Sequence, residues 1–155
     1  MTIAIRPAVP ADLQRVLEIA GETEAGAQWP RREYERTLAP DHGGYRLVLV
    51  ICVDGRVQGF VIGRQAGEDY EIENLAIDRG AHRRGLGRQL LREFLARTRQ
   101  QGTAVFLEVR ESNVAARKLY EAMGFVQTGR RKSYYRAPEE DAIVLKFSFV
   151  PPPQF

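Results

Sequence analysis

The sequence predicts an α/β (α+β) domain with a mixed central sheet of about seven strands and helices on both faces. Three observations predict it. Apolar, β-branched runs and amphipathic stretches follow one another through residues 3–149 in the order β, α, α, β, β, β, α, β, α, β, β. An Asp54-Gly55 pair joins two of the runs as a hairpin, so the sheet begins antiparallel. Later, helices separate consecutive strands, as a crossover to a parallel neighbour requires.

Each element has its own signal. Ile3 to Arg6 reads as a short strand. After Pro10, Leu13, Val16, Leu17 and Ala20 recur at helical spacing and Gly21 ends the run, which gives the first helix. A second helix follows Trp29-Pro30 through Leu38. Residues 45–53 are an apolar, β-branched strand, and after the Asp54-Gly55 turn the chain returns as a strand from Val57 to Arg64. Residues 70–77 (YEIENLAI) give a further strand. Leu86, Leu90, Leu91, Phe94 and Leu95 line one face of a helix whose other face carries Arg88, Arg92 and Arg99, and Gly102 stops it. Strand 104–109 (AVFLEV) precedes a helix from about Asn113 to Met123, with Ser112 or Asn113 as N-cap and Gly124 as C-terminal glycine. Strands near 125–135 and 142–149 finish a domain spanning 1–149. Residues 150–155 form a proline-rich tail.

Composition narrows the function. The chain has 155 residues, enough for one domain with its own core and too few for two. No run approaches the roughly 20 apolar residues of a membrane span, and the N-terminus lacks a secretory apolar core, so a cytoplasmic protein with no membrane partner is expected. Cys52 is the only cysteine, which rules out internal disulfides and thiolate-rich metal sites; it reads as a core residue. His42 and His82 lack metal-ligand spacing, and no metal is expected. Residues 1–78 hold 8 basic against 13 acidic side chains, a balance of −5, and residues 79–155 hold 15 against 7, a balance of +8. That asymmetry points to an anionic ligand on the second half.

The segment from Asp78 to Arg88 supplies a place for it. Gly80, Gly85 and Gly87 let the backbone turn its N–H groups toward one point, His82, Arg83, Arg84 and Arg88 surround them, and the segment opens an amphipathic helix with its positive dipole end. This is a polyphosphate cradle. No Lys-Ser/Thr follows the glycines, so a P-loop is not supported. A dinucleotide site is a rival reading, but Leu90 stands where its third glycine belongs and Gly85 lies eight positions after Ile77, too far for its tight turn.

Two side chains stand out as candidate acid and base. Glu108, in Val-Phe-Leu-Glu-Val, must reach the strand's open end or sit partly desolvated, which suits a general base; the alternative is an ion pair with Arg110 or Arg117. Tyr120 shares a helix face with Ala116, Leu119 and Met123, so it is either a core tyrosine or a phenol turned toward a reacting group. The run from Arg130 to Arg136, basic with two tyrosines, reads as a strand edge or the wall of an acceptor site rather than a nucleic-acid surface.

The stretches H-R-R-G-L-G-R, L-E-V-R-E-S-N-V-A-A and L-Y-E-A-M-G-F, with Asn74-Leu75-Ala76-Ile77, Arg131-Lys132-Ser133-Tyr134-Tyr135 and Glu140-Asp141-Ala142-Ile143, resemble the GNAT acetyltransferase superfamily, in particular its RimI-like branch, which acetylates the N-terminal amine of a ribosomal protein. The resemblance covers residues 3–149 and is densest over 74–125. It implies the GNAT fold and an acetyl-CoA-dependent N-acetyltransferase acting on a protein N-terminus by direct attack. By this resemblance His82, Arg83, Arg84, Gly85, Leu86, Gly87 and Arg88 would hold the coenzyme A pyrophosphate. The backbone of Leu75, Ala76 and Ile77 would line the pantetheine arm, and Asn113 would touch the cofactor. Glu108 would be the base and Tyr120 the acid that protonates the thiolate. Trp29, Glu73 and Tyr134 would face the acceptor, and Glu73 is the competing base. The family motif has Gln where this chain has His82, and Asn-Tyr-Tyr where it has Ser133-Tyr134-Tyr135. A small amine such as an amino acid, polyamine or aminoglycoside is the alternative acceptor, and a coenzyme A-binding module without catalysis is the alternative outside enzymes. Oligomeric state is not specified by these motifs.

Overall fold

The computed structural model of the chain describes residues 1–155 except 23–28, 41–43, 83, 101, 103 and 150–155. His42, Arg83 and the proline-rich tail therefore lie outside the described residues. Seven strands form one sheet: β1 (Ile3–Pro7), β2 (Arg46–Val53), β3 (Arg56–Ala66), β4 (Asp69–Ile77), β5 (Ala104–Arg110), β6 (Val126–Arg136) and β7 (Glu139–Ser148), in the spatial order β1-β2-β3-β4-β5-β7-β6. Only β4 and β5 pair in parallel; every other neighbour is antiparallel. The helices are α1 (Leu13–Glu22), α2 (Arg31–Leu38), α3 (Leu86–Thr98) and α4 (Val114–Ala122).

The sheet is apolar on both sides because a helix pair covers each face. On one face Val16 and Ile19 of α1 and Tyr34 and Leu38 of α2 pack with Val48, Val50, Phe60, Ile62 and Cys52, which is buried as its strand context implied. On the other, Leu86, Leu90, Leu91, Phe94 and Leu95 of α3 pack with Leu49, Val61, Val105, Leu107 and Tyr120 of α4. The close seat of α3 depends on Gly63, where a Cβ would fall 2.3 Å from Cζ of Phe94.

The final hairpin differs from the sequence expectation. β7 starts at Glu139 rather than 142, because only Ala137 and Pro138 separate the two strands. β6 is also not a regular strand. Arg131 faces Ala142 and Tyr135 faces Glu140, so Lys132, Ser133 and Tyr134 oppose Asp141 alone. Ser133 takes φ of 51° at the centre of this bulge.

Candidate active site

The site begins where β4 and β5 part. Their parallel pairing runs Tyr70 to Val105, Glu71 to Phe106 and Ile72 to Leu107, then stops. Beyond that point β4 remains paired with β3 through Asn74, Leu75, Ala76 and Ile77, while β5 remains paired with β7 through Arg110. A bulge accompanies the divergence: Ile62 faces Asn74 and Gly63 faces Ile72, so Glu73 is the extra residue. The fork leaves a free backbone edge on Leu75, Ala76 and Ile77 toward β5, and Glu108 is the first β5 residue past it.

Alternation on β5 sends Leu107 and Val109 into the core shared with Tyr120, and Glu108 to the opposite face with Phe106 and Arg110. Glu108 and Tyr120 thus lie on opposite faces of the sheet. The Glu108 side chain is 20% exposed, and its Oε1 lies 2.8 Å from Nε of Arg131. The ion pair weighed as the alternative, with Arg110 or Arg117, does not form. Arg110 is turned to Glu140 at 3.2 Å and the Tyr135 ring at 4.2 Å, and Arg117 donates to the carbonyl of Glu111. The β6 bulge supplies Arg131 instead.

That bulge also brings two phenols to Glu108. The Tyr134 phenol is held above its ordinary pKa first by the negative charge of Glu108 and then by burial. Tyr135 is pushed up to about 12, by burial first and by Glu108 second. Tyr135 was given no site role of its own from sequence; its signal was the Arg130 to Arg136 run with two tyrosines, read as a strand edge or the wall of an acceptor site. Tyr120 is buried, its phenol raised by burial first and then by Tyr135, and it has no hydrogen-bond partner among the described residues. It is core packing on one side, with its ring 5.5 Å from that of Phe125, and an unspent donor on the other.

Glu73 has different company. Both of its oxygens accept from Arg46, at 3.0 and 3.2 Å, and Arg46 also reaches Glu33 and Thr37 at 2.9 Å each. Burial opposes the Arg46 charge, but its hydrogen bonds with Glu73 and Glu33 outweigh it and hold the guanidinium above its usual pKa. Trp29 lies against the same guanidinium, 5.3 Å from its ring centre. Trp29 and Glu73 are therefore joined through Arg46, in a cluster separate from Glu108.

The turn after β4 is clasped at both ends. Asp78 pairs with Arg15 and accepts from the Gly80 N–H at 2.8 Å, and both contacts keep its carboxyl below the usual range, Arg15 foremost. The His82 ring donates from Nε2 to the carbonyl of Ile77 at 2.9 Å, so it braces the turn. Gly85 follows with φ of 72° and starts α3. The first intrahelical bond runs from Gln89 N–H to the Gly85 carbonyl, which leaves the N–H groups of Leu86, Gly87 and Arg88 without acceptors among the described residues. Arg84 and Arg88 are exposed, and no acidic side chain occurs from residue 79 to residue 92. Three unspent amides, a dipole end and two arginines fit a pyrophosphate. Asn113 caps α4 by accepting from the Ala116 N–H, which leaves its amide NH2 available to a ligand. Among the described residues no group of His, Cys, Asp and Glu is arranged to hold a metal ion, and no helix is long and apolar enough to cross a membrane.

Comparisons with known proteins bear on this arrangement. The Acetyltransferase (GNAT) family model matches residues 13–125. The N-alpha-acetyltransferase RimI of Mycobacterium tuberculosis is 36% identical over 141 residues, covering 88% of this chain and 86% of that protein. The ribosomal protein bS18-alanine N-acetyltransferase of Escherichia coli is 35% identical over 114 residues, or 72% of this chain and 77% of that one. The crystal structure of the ribosomal-protein-S18-alanine N-acetyltransferase from Escherichia coli superposes with a TM-score of 0.86 at 27% identity, covering 99% of this chain and 97% of that one.

Proposed function

The chain belongs to the acetyltransferase (GNAT) family, as an acetyl-CoA-dependent N-acetyltransferase with the GNAT fold, and we propose that its acceptor is the α-amine of a protein N-terminus, of the ribosomal-protein type. The similarity to RimI-type enzymes over most of the chain supports the acceptor. The parting of β4 and β5 with Glu108 at the fork is the observation that carries the chemistry. Residues 1–149 serve as one catalytic domain, and a cytoplasmic location goes with this acceptor.

Acetyl-CoA supplies the acetyl group as a thioester. The amides of Leu86, Gly87 and Arg88, with the side chains of Arg84 and Arg88, bind its pyrophosphate, and Asn113 and the open edge of Leu75, Ala76 and Ile77 receive the rest. N–H groups on that edge stabilise negative charge on the carbonyl oxygen. Glu108 accepts the proton lost by the amine, directly or through a water, with Arg131 paired to its carboxylate until the amine arrives. Tyr120 gives its proton to the departing sulfur. Its burial keeps the phenol protonated through the working pH range. Opposed approach from two faces suits the reaction: the base meets the acceptor on one side and the acid meets the leaving group on the other.

Proton chemistry favours an α-amine. Its pKa near 7.7 to 8.0 lies below a lysine's near 10.4, so freeing the nucleophile costs about 3.5 kcal/mol less. The test compares a lysine-free peptide with a free N-terminus against its N-blocked, lysine-containing counterpart, read by thiol release. Faster acetylation of the free N-terminus is expected. Preference for the blocked peptide, or turnover only of polyamines or amino acids, overturns the acceptor assignment and leaves the family and fold in place.

A further inference from the structure

We infer that Asp141 is a positioning residue for the acceptor side of the reaction, holding the β6 bulge that sets Arg131 and Tyr134 against Glu108. The inference rests on the reading of Glu108 as the base and adds a residue that touches neither substrate.

Three β6 residues opposing one β7 residue cannot all use the sheet ladder. The middle one, Ser133, donates its N–H to Oδ1 of Asp141 at 2.9 Å, the single β7 residue opposite the bulge. The same carboxylate takes Nη1 of Arg130 at 2.9 Å, and that nitrogen also lies 2.8 Å from Oε2 of Glu111, the residue just after β5. Asp141 therefore ties the middle of the bulge, Arg130 just before it and, through Arg130, Glu111 just after β5 to one point. Its carboxyl is held below the usual range by the Ser133 N–H first and by Arg130 second, so the bond is made to a carboxylate.

The bulge decides what Glu108 meets. Arg131 enters it and pairs with Glu108 at 2.8 Å, and Tyr134 leaves it with the Arg131 guanidinium 5.6 Å from its ring centre. Removing the two extra residues of the bulge would keep the faces of these side chains but slide them two positions along β7, away from Glu108. An anchor for the bulge is thus an anchor for the wall beside the base.

The test measures steady-state rates with an acceptor peptide at saturating acetyl-CoA, acetyl-CoA affinity by calorimetry and Tm, for Asp141→Ala, Asp141→Asn and Asp141→Glu. Asp141→Asn keeps an oxygen where Ser133 donates and should stay within about threefold of the parent kcat/KM. Asp141→Ala and Asp141→Glu lose or displace it and should fall by about tenfold or more, chiefly through acceptor KM, with acetyl-CoA affinity unchanged within twofold. If Asp141→Ala fails to fold, the ranking of Asn above Glu still decides. Asp141→Glu matching or exceeding Asp141→Asn, full activity in Asp141→Ala, or a parallel loss of acetyl-CoA affinity overturns the inference. Glu108→Gln is assayed beside them: normal turnover there rejects the base assignment, whereas the acceptor KM of the Asp141 variants reports on the anchor by itself.

Discussion

Arg46 grips both carboxylate oxygens of Glu73, at 3.0 and 3.2 Å, while Glu108, beyond the fork on the neighbouring strand, shares one oxygen with the mostly exposed Arg131. The side chains of Arg46 and Glu73 are 10% and 14% exposed, so their pair is sheltered from water; the Arg131 side chain is 60% exposed and free to withdraw. A base must be able to shed its partner. On the proposed mechanism the two glutamates therefore separate into one that holds the fold and one that moves a proton.

The first prediction follows from that separation. Glu73→Ala leaves a sheltered guanidinium with only Glu33 and Thr37, which should cost about 3 kcal/mol, the lower end for breaking a buried pair. Glu108→Gln should leave the urea midpoint nearly unchanged and reduce kcat about 10² to 10⁴-fold. A Glu108→Gln enzyme with near-normal kcat, beside a folded but inactive Glu73→Gln, would reverse the assignment.

Much of this was legible in the sequence and some of it was not, for identifiable reasons. The glycines at 85 and 87, the Asn113 cap and the placement of Glu108 depend on local signals, namely chain turns, capping chemistry and a carboxylate in an apolar strand. The partner of Glu108 was misjudged because nearby arginines at 110 and 117 were weighed, whereas Arg131 arrives from another strand. That arrival depends on a bulge that hydrophobic alternation cannot register, since its anchor is a side chain of β7. The Arg46–Glu73 pair likewise spans 27 positions. The one written trace of the bulge was Ser133 at a position where the family motif carries Asn, a residue more at ease with positive φ.

Tyr120→Phe should lower kcat and leave acetyl-CoA affinity in place. The phenol makes no hydrogen bond among the described residues, so its loss should change stability at pH 7 by well under about 1 kcal/mol. The pH dependence has a definite sign. Burial holds the folded phenol above its ordinary value of 10, so above pH 10 the unfolded chain releases a proton that the folded chain retains. Stability is complete below pH 10 and falls as pH rises toward the folded value. Alkaline unfolding of Tyr120→Phe should be less steep than that of the parent, with Tyr135 accounting for part of the remaining slope. Identical slopes would place the Tyr120 phenol in contact with water.

In the cofactor turn, substitutions at 84, 85 and 87 should differ in kind. Arg84→Ala removes an exposed charge and should weaken acetyl-CoA binding by about 1.5 to 3 kcal/mol with Tm unchanged, if that guanidinium meets the pyrophosphate. A Cβ at Gly85 would meet nothing within 4 Å, so Gly85→Val acts through its φ of 72°, costing about 1 to 2 kcal/mol and turning the amides of α3 away from the phosphate. At Gly87 a Cβ would touch Leu119 at 3.4 Å and Ile77 at 3.7 Å, ordinary packing, so Gly87→Ala should retain parent stability. Calorimetric titration and a melt of each variant separate the three; equal losses at 85 and 87 would contradict the backbone argument.

Ser133→Asn should stabilise the protein. At φ of 51° Ser133 occupies the left-handed region, which costs an ordinary L-residue about 1 to 2 kcal/mol and which Asn tolerates better because its amide can bond locally. Its N–H is already held by Asp141, so the substitution leaves that bond in place and changes only the backbone preference. A gain of about 0.5 kcal/mol corresponds to about 1 to 2 °C in Tm for a chain of this length. Ser133→Val gives the contrast: a β-branched side chain is poorly suited to this φ, so Tm should fall and the acceptor KM should rise as Tyr134 loses its place beside Glu108. Differential scanning calorimetry with parallel acceptor kinetics tests both. A Ser133→Asn melt at or below that of Ser133→Val would mean that the strand is regular in solution and that the wall beside Glu108 is built in another way.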